Sequence, residues 1–381
     1  MGWIARSTGT GEGLKMASKR IRVCMNALLL PPNLGGIGNA AFHLLAHLRK
    51  VRPDWELTLL INSAAAPEFA DIPGLILRVP RVRRRWARLL YLYLWFPWAA
   101  RGYDLLHSIG NMGLAFGPVP QVISINDAYE RVSPERFGLG KRLMMRMLIS
   151  ASGRKARCIL AISRNTAADV ARFYPHLAAK TRVVYLGNKF PVASEIVPDG
   201  RDGFLFVGTL EPGKNLPLAL RAFAAFRRGH AGKFRIVGAK GWRQSGLPAL
   251  IESLGIREDV EFLGYLPDAE LRAWYGRSLA LIQPSNYEGF GLPVIEAMAC
   301  GCPVVAARNS GLIEAGGSAA LFFGTGDAEG LAARMAEVAG DRELRRACIG
   351  KGLEHAAGFT WEKAAAAVAQ AYEMALERKP G

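Results

Sequence analysis

Ala280-Leu281-Ile282-Gln283-Pro284-Ser285-Asn286-Tyr287-Glu288-Gly289-Phe290-Gly291-Leu292-Pro293-Val294-Ile295-Glu296-Ala297-Met298-Ala299-Cys300-Gly301-Cys302-Pro303-Val304-Val305-Ala306 is the stretch whose reading settles the architecture. The apolar runs at Ala280–Gln283 and Val304–Ala306 predict two buried strands. Between them, Pro293 sits near a first helical position and Gly301 just past a helix end, which delimits a helix near 293–300. Strand, helix and strand in that order make a βαβ unit, the building block of a parallel sheet covered on both faces.

Outward from this unit the same alternation continues. Towards the N-terminus of the second half, strands are expected at Phe204–Val207, Phe234–Val237 and Val260–Phe262, with helices near 215–229, 267–276 and 326–339 and two more near 341–357 and 360–379. The first half repeats the scheme with strands at Ile21–Ala27, Trp55–Ile61, Leu75–Val79, Tyr103–His107, Gln121–Ile125, Cys158–Ile162 and Arg182–Tyr185. The expected fold class is therefore α/β, with two doubly wound, Rossmann-like parallel-sheet domains. The expected division is a disordered Gly/Ser/Thr-rich leader over 1–20, a first domain over 21–187, a Pro/Gly-bearing linker over 188–203, a second domain over 204–360 and a terminal helix over 361–381.

A chain of 381 residues, half of them apolar and 21% charged, has length for two cores and excludes a disordered or disulfide-stapled protein. Five cysteines without zinc-finger or redox spacing point to a reducing cytoplasm. No run reaches the ~18–20 apolar residues of a membrane span, and the first twenty residues lack the apolar centre of a signal peptide.

The net charge of +17 is unevenly distributed. Residues 1–190 hold 28 Lys+Arg against 10 Asp+Glu, and residues 191–381 hold 21 against 22. Such asymmetry predicts an anionic partner for the first half. Arg81, Arg83, Arg84, Arg85 and Arg88 run directly into Leu89-Leu90-Tyr91-Leu92-Tyr93-Leu94-Trp95-Phe96-Pro97-Trp98. Arginines beside Trp, Tyr and Leu suit the headgroup level of an anionic membrane, so Arg81–Trp98 is read as a peripheral contact with the inner membrane face and not as a nucleic-acid site. A buried helix with a solvated charged edge gives the same pattern.

In open parallel sheets, ligands bind outside the carboxyl ends of the strands. Three loops there carry candidate chemistry. Leu34-Gly35-Gly36-Ile37-Gly38-Asn39 precedes a helix expected at Ala40–Val51, and glycines there let an anion approach a helix start, although a tight turn explains them equally. Gly208-Thr209-Leu210-Glu211-Pro212-Gly213-Lys214-Asn215 places an ammonium where a strand gives way to a helix. In the opening stretch, Glu288 and Glu296 flank the amides of Gly289, Phe290 and Gly291, with Leu292 at the helix start. Two carboxylates that accept from hydroxyls, around amides that donate to an anion, suit a nucleotide sugar.

Residues 284–303 resemble the E-x7-E segment of retaining glycosyltransferases of the GT-B fold, in the large family numbered four. The likeness spans nearly the whole chain: Gly35, Gly36 and Gly38 resemble the family's N-terminal diphosphate loop, and Val207–Leu216 the G-T-L-E-P-x-K-N variant of its second phosphate loop. The resemblance implies two domains facing a cleft, with Lys214 on the donor diphosphate, Glu288 on the donor-sugar hydroxyls and Glu296 on the ribose. By the same likeness Asp104-Leu105-Leu106-His107 ends a strand facing the cleft, and the terminal helix crosses back to the first domain.

Two departures bear on the site. Asn126 stands where the family has a histidine before Asp127, so no proton shuttle is expected at that position. Thr209 replaces a usual arginine and Gly213 a frequent basic residue, which shifts phosphate neutralisation onto Lys214 and backbone amides. The expected catalytic set is Lys214, Glu288, Asp127 and Asn126; Gly35, Gly36, Gly38, Thr209, Gly289, Phe290, Gly291, Leu292, Glu296 and His107 are the expected substrate contacts. No Asp-x-Asp motif calls for a metal, and no cofactor is expected beside the donor, with GDP-mannose favoured over UDP-sugars by the loop variant. The expected activity is retaining transfer to a glycan or lipid-linked acceptor in surface-glycan assembly. A GT-B isomerase or phosphorylase, or a donor-binding protein without turnover, are the alternatives.

Overall fold

The computed structural model describes residues 20–31, 35–82, 84–194, 200–239 and 246–377. The expected leader lies outside the described residues except for Arg20, as do Leu34, Arg83 and residues 195–199 of the expected linker.

Seven parallel strands form the first sheet: β1 (Arg22–Ala27), β2 (Glu56–Ile61), β3 (Ile76–Arg78), β4 (Leu105–Ser108), β5 (Gln121–Ile125), β6 (Cys158–Ala161) and β7 (Thr181–Val183), in the order β3-β2-β1-β4-β5-β6-β7. Six form the second: β8 (Phe204–Val207), β9 (Phe234–Val237), β10 (Val260–Gly264), β11 (Ala280–Gln283), β12 (Val304–Ala307) and β13 (Leu321–Phe323), in the order β10-β9-β8-β11-β12-β13. Both sheets are wound outward from their middle, so strand order reverses between β1 and β4 and again between β8 and β11. Those two points open the crevices where ligands bind in doubly wound sheets.

Side chains alternate across each strand. Val23, Met25, Leu105, Val122, Cys158 and Leu160 face the Gly35–Val51 and Trp361–Glu377 helices, whereas Cys24, Leu106, Ile123 and Ile159 face the opposite side. The Trp361–Glu377 helix is built to sit close: Ala364, Ala365, Val368, Ala369, Ala371 and Ala375 recur at helical spacing and are buried, and Tyr372 stacks on Trp55 with ring centroids 5.7 Å apart. It thus packs on the first sheet although it follows the second in sequence. No helix among the described residues is long and apolar enough to cross a membrane.

In the second half, β13 and the short helices Leu247–Ser253 and Ser310–Gly316 were not expected. Each spans at most seven residues, too few for a periodicity to register. The first helix begins at Gly35, five residues ahead of the expected Ala40, so the glycine loop is that helix's first turn. The helix is held by Ala41, Leu44, Leu45 and Leu48 in the core, which outweighs the poor helix propensity of its glycines.

Candidate active site

The β8 and β11 carboxyl ends lie side by side at the second switch point, and their loops are tied together. The Asn286 amide donates to the Gly213 carbonyl at 3.0 Å, and Asn215 Nδ2 donates to Asn286 Oδ1 at 2.9 Å. Asn215 adopts φ +52, so the chain reverses sharply after Lys214 before the Leu216–Arg227 helix begins. That turn aims the lysine across the loop pair: Nζ donates to Glu288 Oε1 at 2.6 Å. Gln283 Nε2 (3.0 Å) and Ser285 Oγ (2.7 Å) donate to the same oxygen. Ser310 Oγ accepts from the Glu288 amide at 2.8 Å, and the Glu288 carbonyl accepts from the Gly311 amide at 3.0 Å. Glu288 is thereby fixed at both backbone and side chain, the kind of support that holds a binding carboxylate in one geometry.

Glu296 lies one turn into the Leu292–Ala299 helix, as expected, but among different neighbours. Tyr275 donates to its Oε2 at 3.2 Å, and burial pushes its carboxyl pKa up, with Lys189 and the Tyr275 hydrogen bond opposing the shift. Glu288 and Glu296 share no hydrogen-bond partner among the described residues. The Phe290 side chain turns into the core against Tyr185 and Phe359, so only its backbone can serve a ligand. Gly35 and Gly36 are exposed, and a Cβ at either would meet nothing within 4 Å; packing does not require glycine there. Thr209 is half-buried in the β8 loop.

From the first sheet, β5 delivers Asn126 and Asp127. Gly289 meets them so closely that a Cβ would stand 1.8 Å from the Asn126 carbonyl oxygen. Ser163 Oγ donates to the Gly289 carbonyl at 2.6 Å, and Tyr129 donates to the Tyr287 carbonyl at 2.6 Å, so the two loops are stitched across the cleft. Asn126 and Asp127 are both positioned by Asn111, a buried residue at φ +60. Its Oδ1 accepts from the Asn126 amide at 2.7 Å, and its Nδ2 donates to Asp127 Oδ1 at 3.3 Å. Burial, opposed by the Tyr129 amide, pushes the Asp127 carboxyl up to about 6.

Sequence reasoning missed Asn111 and Arg136. Arg136 ends the second of two short helical turns that follow Asp127, Tyr129–Val132 and Pro134–Arg136, and crosses to the opposite loop. Its Nη2 donates to Glu211 Oε2 at 2.7 Å, its guanidinium lies 4.1 Å from the centre of the Tyr129 ring, and a Cβ on Gly213 would stand 2.6 Å from its Nη1. The position that lacks a basic side chain in the loop is thus covered by an arginine from the other sheet. A bare Gly213 beside a lysine was the available signal, but its partner 77 residues away in sequence was not legible.

His107 is corrected. It is fully buried, with Nδ1 2.6 Å from the Tyr372 hydroxyl and Nε2 2.7 Å from Ser124 Oγ, and burial lowers its pKa to about 3. β4 is an interior strand, and the pairing of His107 with Met25 turns its side chain towards the Trp361–Glu377 helix and away from the cleft.

Residues 192–355 match the family of glycosyl transferases group 1, and residues 34–187 match Glycosyltransferase Family 4. The chain is 28% identical to the O-antigen chain mannosyltransferase B of Escherichia coli over 73% of its length and 76% of that protein. It is 30% identical to a D-inositol 3-phosphate glycosyltransferase 2 of Catenulispora acidiphila over 76% of its length and 71% of that protein. Several further curated relatives are matched over less than half of their own length. Among solved structures, the Anabaena protein HepE in complex with UDP and glucose superimposes with a TM-score of 0.75 at 18% identity, covering 93% of this chain and all of that one. At that identity the likeness concerns the fold.

Proposed function

The chain belongs to the glycosyl transferases of group 1, and from that premise we propose that it moves a sugar, mannose before others, from a nucleoside-diphosphate donor to a glycan or lipid-linked acceptor with retention of configuration. The observation that carries the reading is the Lys214–Glu288 pair at the β8/β11 switch point. The ammonium and the carboxylate satisfy one another in the structure. A bound donor would take the place of each as the other's partner, its phosphate receiving Lys214 and its sugar hydroxyls donating to Glu288.

Retention needs no protein nucleophile in this geometry. A phosphate oxygen of the leaving diphosphate takes the acceptor proton, while Lys214 and the loop amides stabilise the charge that develops. Asp127 lies at the end of β5 on the first sheet, and in this reading it orients the acceptor or the sugar. Mannose, with GDP-mannose as the donor, is favoured by the Gly208–Pro212 loop variant and by the similarity to an O-antigen mannosyltransferase; UDP-sugars come second.

The acceptor side fits a membrane. In the Arg81–Trp98 segment, Leu92 and Phe96 are buried against the sheet, whereas Trp86, Leu90, Leu94, Trp95 and Trp98 are exposed beside Arg84, Arg85 and Arg88. The buried-helix reading thus holds for one face of the segment, and the exposed face supplies the side chains that a membrane contact would use.

A panel of nucleotide sugars tests the donor by thermal stabilisation, since a ligand at ~100 times its Kd adds ~2.7 kcal/mol. The anomeric proton signal of the product tests retention. A product of inverted configuration would remove the front-face route. In the same assay Glu288→Gln is expected to impair donor-sugar use while leaving free nucleotide binding nearly intact. Loss of nucleotide binding with sugar selectivity unchanged would reverse the assignment of Glu288.

A further inference from the structure

Exposed large apolar side chains are not scattered over this molecule. Ten of the twenty among the described residues lie on three elements: the Arg85–Ala99 helical segment, the loop carrying Phe116, and the Leu139–Lys155 helix. Single exposed leucines need no explanation, whereas a concentration of this kind marks a binding surface.

The three elements share one side of the first sheet. The connections from β3 to β4 and from β5 to β6 both run towards the β7 edge, and right-handed crossovers running in one direction lie on one face. The packing agrees: Leu92 and Phe96 rest on Cys24 and Leu106, Ile149 rests on Ile123 and Ile159, and the register places all of these strand residues on the same face. Pro97, Phe116 and Lys155 line one shallow depression where the elements meet.

On the Leu139–Lys155 helix, Leu139, Leu143 and Met147 recur every fourth residue and are 71%, 56% and 62% exposed, while Ile149, Ser152 and Gly153 are buried. The apolar stripe thus occupies the outer face of the helix's first half. Lys141, Arg142 and Arg146 are interspersed with it, and neither this helix nor the 85–102 segment contains an aspartate or glutamate.

We propose that the Leu139–Lys155 helix and the Arg85–Ala99 segment form one lipid-binding platform, which lays this face of the first sheet on an anionic membrane. The proposal rests on the membrane reading of Arg81–Trp98 and extends it to a second element. Charge complementarity selects the occupant. A symmetric second copy would bring arginines against arginines with no carboxylate between them. Nucleic acid would meet the cations and could stack on Trp86, Trp95 and Trp98, but it would leave the aliphatic stripe of Leu90, Leu94, Leu139, Leu143 and Met147 in water. Anionic headgroups satisfy the cations, and acyl chains satisfy the aliphatic side chains.

The platform also sets where an acceptor enters. The stripe starts at Leu139, on the side of the sheet where β5 ends and Asp127 sits, and Arg146 Nη2 donates to the Glu130 carbonyl at 3.0 Å. A lipid-borne acceptor would therefore rise from the membrane beside the Asn126–Asp127 corner.

The test compares full-length Leu143→Ser/Met147→Ser, full-length Trp95→Ser and the unaltered protein by co-sedimentation with vesicles of phosphatidylglycerol in phosphatidylethanolamine and with phosphatidylcholine vesicles. Melting temperature and oligomeric state are recorded in parallel. The double variant is expected to lose about tenfold or more in partitioning to anionic vesicles at every salt concentration, with its melting temperature unchanged because both side chains are exposed. Lys141→Gln/Arg142→Gln should lose affinity mainly at low salt, about fivefold per charge. Wild-type binding by the double variant, with Trp95→Ser impaired, would overturn the two-element platform and leave the single-segment reading standing. Undiminished binding by Trp95→Ser as well would overturn both. A change from dimer to monomer with no change in lipid binding would assign the face to a second copy and refute the proposal.

Discussion

Replacing Gly289 by alanine should act as a wedge between the two sheets. Gly289 is absent from the residues with left-handed φ, so the backbone itself tolerates alanine and only space is at issue. A Cβ would stand 1.8 Å from the Asn126 carbonyl oxygen, whereas contacts below 3.0 Å do not occur, so the loop must retreat by more than an ångström (3.0 less 1.8). That retreat strains the Ser163 hydrogen bond of 2.6 Å to the Gly289 carbonyl. Losing it costs about 1 kcal/mol, and residual overpacking about 1–3 kcal/mol more. For a unit of this size, ~2–4 kcal/mol lowers the melting temperature by roughly 5–10 °C. Calorimetry of Gly289→Ala, alone and with a saturating nucleoside diphosphate, measures both the loss of stability and the loss of ligand response. Gly36→Ala is the control: its Cβ meets open space, so stability should hold and only ligand response should fall. A Gly289→Ala protein that melts like the wild type and responds fully to nucleotide would refute the close approach on which the site is built.

Lys214→Ala should weaken nucleoside diphosphate and intact donor alike, because the phosphate is common to both; equilibrium titration with each decides, and a loss confined to the donor would place Lys214 on the sugar. Arg136→Gln should weaken nucleoside-diphosphate binding several-fold and steepen its decline with salt less than in the wild type, since one cation no longer faces the Gly213 loop; an unchanged Kd would restrict the guanidinium to tying Glu211. Asp127 holds its proton up to about pH 6 in the folded protein, above its ordinary value, so its contribution to stability is present at low pH and is lost as pH rises through 6. The melting temperature of the wild type relative to Asp127→Asn should accordingly fall between about pH 4 and pH 7. A difference that stays constant across that range would mean that the carboxyl titrates normally.

The sequence disclosed what short range controls. β5, β8, β9 and β11 match the expected residues, because each is an apolar run bounded by turn residues and buried on both faces. The loops of Lys214 and Glu288 were legible as well, since each follows a strand end, but the contact between the two side chains was not. What stayed hidden is long-range pairing. Nothing near Arg136 in sequence announces Glu211, and nothing near Asn111 announces that its amide will serve two residues of another strand end. His107 shows the opposite failure. A strand-end histidine reads as a cleft residue until the helix that covers it, more than 250 residues later, is brought into place. The Leu139–Lys155 helix was passed over because Leu, Met and Arg are all good helix formers, and a sequence pattern does not say which side of a helix its neighbours leave bare.

The covering of the first sheet by the Trp361–Glu377 helix has a consequence for biosynthesis. During translation, β1 to β7 leave the ribosome well before the residues that bury Trp55 and His107, so the first sheet waits with one face incomplete while β8 to β13 are made. The two halves therefore cannot mature as independent beads on a string. A stop codon placed just before Trp361 would leave both sheets fully encoded and yet strip the first of its cover, so the damage from a truncation after the second sheet would surface in the half encoded before it.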